Sequence, residues 1–148
     1  MPIPAWLAVV GAVGSAKLAY DYFHTPDHQE LLEDTYKAVD NAVDDAEVRA
    51  DHGVGDGNGE LALDGIEGRP DLVVRGFGVS NLLVEVETAD ALDERPQHII
   101  EQVDGFQKEG YRRVLVVPDG STDQAAELCK QIDGKVTVST PSGITKLL

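Results

Sequence analysis

Two short aliphatic runs constrain this chain more than any other feature. "NLLVEVET" at residues 81–88 and "YRRVLVVPDG" at residues 111–120 each hold a nearly unbroken string of Leu and Val. Continuous apolar runs of this length, bounded by Asn, Gly, Pro and Asp, suit strands in the middle of a covered sheet. Between them "DERPQHIIEQVDGFQKEG" carries Ile99, Val103 and Phe106 at helical spacing, with Gln102 close to that stripe. Strand, helix and strand in succession predict a parallel crossover. A further helix is expected in "STDQAAELCKQIDG", capped by Ser121 with Gln124 three residues on and stopped at Gly134. Its core stripe is Ala125, Leu128, Cys129 and Ile132, and a last strand, "KVTVST", follows.

Upstream, strand candidates at residues 60–63, 70–75 and 81–88 are joined by short links, which suit antiparallel neighbours. A helix is expected before them. Thr25 can cap it, Pro26 fits its first turn and Asp27 favours the positive end of its dipole. Leu32, Tyr36, Val39, Val43 and Ala46 then keep a helical period. The glycine-rich "GVGDGNGE" has no Lys-Ser or Lys-Thr after it, so it reads as a loop and not as a phosphate loop. The expected order is helix, three strands, helix, strand, helix, strand. That is an α/β domain over residues 25–148, a mixed β-sheet flanked by helices and large enough for its own core.

Residues 1–24 form a separate segment, expected to be an apolar N-terminal helix. The run over residues 3–16 falls short of the ~20 residues of a confident bilayer span. Ala8, Ala12 and Ala16 recur every four residues, as do Gly11, Ser15 and Ala19. Rows of small residues let helices approach closely, so residues 3–20 suit a buried core helix, a homo-oligomer contact or membrane attachment. No basic residues precede the run, as a secretory signal would want.

Acids outnumber bases 27 to 12, giving a formal net charge of −15. They are scattered along the chain. A dense, distributed acidic surface with few lysines resembles that of proteins from salt-loving archaea, where salt screens self-repulsion. The acidity removes the basic-patch signal of non-specific nucleic-acid binding, although at multimolar salt counterion release contributes little to any protein. A single cysteine, Cys129, excludes an internal disulfide and a zinc–cysteine cluster. It points to a cytoplasmic location, with membrane association through the N-terminal helix as the variant of that expectation.

Asp71, Glu85 and Glu87 interrupt otherwise aliphatic strands. Strand alternation sends Glu85 and Glu87 to one face and Val84 and Val86 to the other. If the strand of Asp71 lies alongside, three acids converge at one edge and need protons or a cation to coexist. Oxygen donors favour Mg2+ or Mn2+ (or calcium) over zinc. Two glutamates on one strand also suggest a glycosidase pair, but side chains on the same side are poorly placed to flank a sugar bond. His24 and His28 could lie one helical turn apart, yet no third ligand stands near them in sequence, and a solvated helix start accounts for both.

"GRPDLVV", "LLVEVET" and "QVDGF" before "RRVLVVPDG" together resemble the core of the PD-(D/E)xK nucleases, the restriction-endonuclease-like superfamily, over residues 28–118. The resemblance implies that Asp71 and Glu85 hold a Mg2+ or Mn2+ ion. It places Gln102 with Phe106 at the Gln-x-x-x-Tyr motif of the following helix, with Phe for Tyr. Glu33 is a candidate for the extra acid that some members carry on the first helix. The sequence departs from the family at Glu87, which stands where the usual lysine would be. In a Glu-x-Glu variant that residue becomes a third metal ligand or orients the attacking water, unless Lys108 or Arg112 supplies the missing positive charge. The implied activity is metal-dependent phosphodiester hydrolysis of nucleic acid, DNA before RNA, with Asp71, Glu85, Glu87 and Gln102 as catalytic residues. The alternatives are an inactive member of the same fold acting as a binding or assembly module, and a membrane-attached or oligomeric structural protein.

Overall fold

Helix α1 (His28–Ala42) opens the domain. It is followed by β1 (Glu47–Ala50), β2 (Leu72–Arg75) and β3 (Leu82–Val86). Next come α2 (Ala89–Glu94), α3 (Pro96–Asp104) and β4 (Arg112–Val116). Helix α4 (Thr122–Cys129) and β5 (Val136–Ser139) complete the regular structure, each accompanied by a short 3-10 turn. This computed structural model describes residues 27–51, 54, 66–76 and 78–148. The expected apolar helix at residues 1–24, His24 and the strand candidate at residues 60–63 lie outside the described residues.

The strands form one five-stranded mixed sheet in the order β1-β2-β3-β4-β5. β2 pairs antiparallel with both β1 and β3, the latter through a short link, while β3, β4 and β5 run parallel, as their helical crossovers require. Helices flank the sheet. On one face Leu31, Leu32 and Val39 of α1 pack against Leu72, Val74, Leu82, Val84, Val86, Val114 and Val116. On the other, Ile99 and Val103 of α3 and Ala125 and Leu128 of α4 cover Leu115 and Val117. With both faces covered, all five residues of β3 are buried, which explains its unbroken aliphatic sequence. Burying each Val or Leu side chain contributes about 1.5–3 kcal/mol, so the central strands fix the sheet.

Four local expectations need correction. Helix α1 stops at Ala42 and Val43 is extended, so the helical period expected through Ala46 is cut short, and β1 follows directly at residues 47–50, upstream of the first expected strand. "EVRA" alternates as well as it repeats at helical spacing. Its pairing along β2 covers what would otherwise be an open strand edge, and Glu47 stands opposite Arg75 with a 2.7 Å ion pair. The helix expected through "DERPQHII" is two helices. Pro96 has no N–H and disfavours helical geometry at the residue before it, so Arg95 turns out of the helix at φ −133° and α3 restarts at Pro96.

α3 also ends before Phe106, which is buried with Val73 and Leu83 instead of continuing the helical stripe. Finally, Ser121 makes no side-chain cap, Gln124 donates to Asp93 at 2.6 Å, and α4 ends at Cys129, well before Gly134. At the start of α1, Asp27 is the N-cap, accepting from the Glu30 N–H at 2.8 Å. Among the described residues no helix is long and apolar enough to cross a membrane.

Candidate functional site

The antiparallel register of β2 and β3 pairs Leu72 with Val84. Continued by one residue, it sets Asp71 opposite Glu85, and Glu87 follows just past the end of β3. Their odd numbering puts all three on the face of Val73, Leu83 and Leu115, opposite the apolar stripe of α1, although the first turn of that helix reaches the strand end. Each is almost wholly buried: Asp71 is 6% exposed, Glu85 2% and Glu87 6%. The predicted convergence of Asp71, Glu85 and Glu87 is therefore what the strands produce. It lies at the carboxyl end of β3, the edge at which ligands usually meet α/β sheets.

The charges of this cluster are unequal. Burial works against ionisation of Asp71, but hydrogen bonding with His28, Glu85 and the Val86 N–H outweighs it and holds the carboxyl below its ordinary value. The Val86 N–H donates to Asp71 Oδ2 at 2.9 Å, and His28 Nε2 lies 3.1 Å from the same oxygen. Glu85 is pushed well above the usual carboxylate range, first by burial and then by the charge of Asp71. Glu87 is pushed up to about 7 by burial and by Asp71, against the opposing effects of Glu85, His28 and Arg95. The picture is an ionised Asp71 beside a protonated Glu85, with Glu87 poised near neutrality. Glu85 Oε1 has no hydrogen-bond partner among the described residues, a costly state for a buried carboxyl oxygen.

His28 is the residue that sequence reasoning missed. Its spacing suggests a pair with His24, whereas the first turn of α1 delivers it to the acids. The contact with Asp71 raises its pKa despite partial burial, helped by the charges of Glu87 and Asp27. No local sequence signal pairs residues 28 and 71; only the packing of α1 across the sheet does. Glu33, the helix acid singled out by resemblance, is exposed and accepts from Gln29 at 3.5 Å.

The other candidates sit elsewhere. Gln102, on α3, lines a shallow hollow with Glu67, Gly68, His98, Glu101 and Gly105 and has no hydrogen bond to the three acids. Lys108 and Arg112 do not supply a charge beside Glu87. Arg112 stands opposite Leu82 at the start of β3, whereas Glu87 follows Val86 at the other end. Five residues of strand, roughly 17 Å, separate the two levels. The charges that reach Glu87 are those of His28 and of the exposed Arg95 at the α2–α3 break.

As a donor set, three carboxylates and an imidazole suit a hard divalent cation, and the orphaned Glu85 oxygen fits that use. The side chains, however, face one another across shared protons. Among the described residues no group of three or more His, Cys, Asp or Glu side chains is already arranged to hold a metal ion. Loading would thus require Glu85 and Glu87 to release protons and reorient. Comparison of the chain with protein-family models, with curated proteins and with solved structures gave no match.

Proposed function

We propose that the chain is a metal-dependent nuclease-like hydrolase of phosphodiester bonds with a restriction-endonuclease-like fold, acting on DNA before RNA. The observation that carries the reading is the burial of Asp71, Glu85 and Glu87 against one another at the carboxyl end of β3. An ordinary solvated strand end would not keep three acids out of water. The order of one helix, three strands, a broken pair of helices and a strand supports the resemblance in the sequence.

Asp71, Glu85 and Glu87 would hold a Mg2+ or Mn2+ ion. When bound, such an ion supplies Lewis-acid chemistry, favouring hydroxide over water and offsetting charge on the phosphate. Asp71 is the anchor: His28 and the Val86 N–H fix its carboxylate and keep it ionised. Glu85 is the proton-bearing member and becomes a ligand by losing that proton. Glu87, balanced near neutrality, can take a proton from a water molecule positioned beside it. Gln102 enters only as the hydrogen-bond donor implied by the resemblance.

The test is cleavage of single- and double-stranded DNA and RNA by the full chain, with magnesium or manganese, from low to multimolar salt. Cleavage that needs the metal and is lost in Asp71→Ala and Glu85→Ala is the expected result, with circular dichroism showing each variant folded; Asp71→Asn keeps an acceptor for the Val86 N–H and serves where Asp71→Ala unfolds. Absence of cleavage under every condition would end the nuclease reading. A second reading, an inactive binding or assembly module of the same fold, is favoured by Glu87 in the lysine position and by the closed, proton-sharing arrangement. It predicts nucleic-acid binding without cleavage.

A further inference from the structure

At the opposite end of the sheet, before β4 and β5 begin, a cavity of about 500 Å³ gathers cations in an otherwise acidic chain. Lys108, Arg112, Arg113 and Lys135 line it together with Tyr111, and Glu109 is the one acid on its wall among the described residues. A chain of net charge −15 has carboxylates to spare, and Arg49, Arg69, Arg75 and Lys130 are each ion-paired with one. Arg112, Arg113 and Lys135 have no such partner among the described residues.

Arg113 is the most telling of them. It is only 6% exposed, yet among the described residues its guanidinium is held by main-chain carbonyls alone. Nη1 donates to Val103 O at 2.9 Å, near the end of α3, and Nη2 to Asp133 O at 2.6 Å. Two carbonyls fix the fork in place without neutralising it, and they leave N–H donors over. Gly134 has a positive φ of 82°, and a Cβ there would come within 2.7 Å of Arg113 Nη2, so the backbone closes directly on the guanidinium. A buried, pre-oriented positive charge of this kind is costly unless an anion completes it. Arg112 and Lys135 stand at the mouth, both exposed, where they can reach the same anion.

We infer that this cavity is a binding site for a phosphate group, with Arg113 as the fixed guanidinium and Arg112 and Lys135 as the mobile clamps. A planar fork with flanking cations suits the several oxygens of a phosphate better than a single carboxylate. The volume accommodates more than the phosphate alone, and Tyr111 offers a ring beside it. The phosphate can belong to a free compound or to the end of a nucleic-acid strand. The site is independent of the acid cluster, so either can fail without the other.

The test uses the full chain with chelator present and follows backbone amides by NMR while inorganic pyrophosphate is added. A 5′-phosphorylated oligodeoxynucleotide and its 5′-hydroxyl twin are titrated separately. Pyrophosphate should move the amides of Tyr111, Arg112 and Gly134. The double variant Arg112→Gln/Lys135→Gln changes only exposed side chains and should keep the same unfolding midpoint. Its affinity should be lower by about tenfold or more, as expected for losing charge-assisted contacts. Preference for the 5′-phosphorylated strand assigns the phosphate to a strand end, and response to pyrophosphate with none to either strand assigns it to a free compound. No movement of these amides with any probe, or affinity undiminished in the double variant, would overturn the inference.

Discussion

His28 Nε2 stands 3.1 Å from Asp71 Oδ2, joining the first turn of α1 to the strand edge across 43 positions of sequence. The contact favours the charged form of both partners: His28 is raised and Asp71 lowered relative to their ordinary values. His28→Ala should therefore cost on the order of 1–3 kcal/mol at neutral pH, as for a charge-assisted hydrogen bond. It should also let Asp71 protonate at higher pH. Urea unfolding of both proteins across the acid range checks the cost, and proton NMR of the imidazole checks the raised pKa. An ordinary imidazole titration together with unchanged stability would show that the contact does not persist in solution.

The acids give the cation-free protein a defined pH profile. Glu85 and Glu87 ionise at higher pH when folded than when unfolded. Such groups stabilise fully below the unfolded value, 4.5, and that contribution disappears as pH rises through the folded value, about 7 for Glu87. Asp71 has the opposite sign. Its contribution is present above 3.8 and fades as pH falls through its lowered folded value. Stability in chelator should therefore decline from mildly acidic to mildly alkaline pH, with Glu87 alone contributing on the order of 3 kcal/mol. Glu87→Gln should flatten the decline. Magnesium should restore more stability on the alkaline side than on the acidic side, because binding no longer has to displace protons. A wild-type profile flat across this window would contradict the protonation scheme.

Much of this arrangement was legible in the sequence because strand geometry is periodic. Given β2 beside β3, alternation alone sends Asp71, Glu85 and Glu87 to one face, and the aliphatic runs identify β3 and β4 as central. What could not be read depended on contacts remote in sequence. β1 fits helix and strand patterns equally well, and its pairing with β2 decides between them. The role of His28 depends on where α1 lands. Phe106 kept the helical spacing, but the space beneath Val73 and Leu83 claimed it after α3 had ended. The Pro96 break was legible, since the restriction on the preceding residue is local.

Salt should stabilise the fold if the acidic surface is an adaptation to it. The screening length shrinks from about 10 Å at 0.1 M to about 3 Å at 1 M. Repulsion among −15 formal charges is thereby suppressed. Four surface ion pairs among the described residues, at 2.6–3.4 Å, are screened as well, but exposed pairs contribute at most about 1 kcal/mol each. Thermal unfolding midpoints should rise from low to multimolar KCl. A flat or falling series would count against the halophilic reading while leaving the fold untouched.

Glu87→Lys is the sharpest probe of the candidate site, because it restores the usual residue of the resembling family beside the same two acids. Its ammonium would sit within reach of Asp71 and Glu85, where it offsets the burial and the repulsion that raise Glu85 in the wild type. An opposite charge at that distance favours ionised carboxylates, so Glu85 should lose its proton at lower pH than in the wild type. If Glu87 occupies the lysine's place, the variant retains or gains metal-dependent cleavage, and its activity extends to more acidic pH. If Glu87 is an obligatory third ligand, cleavage disappears and magnesium no longer raises the unfolding midpoint. Cleavage rates and magnesium-dependent unfolding, measured on the same preparation over a pH series, separate the two roles.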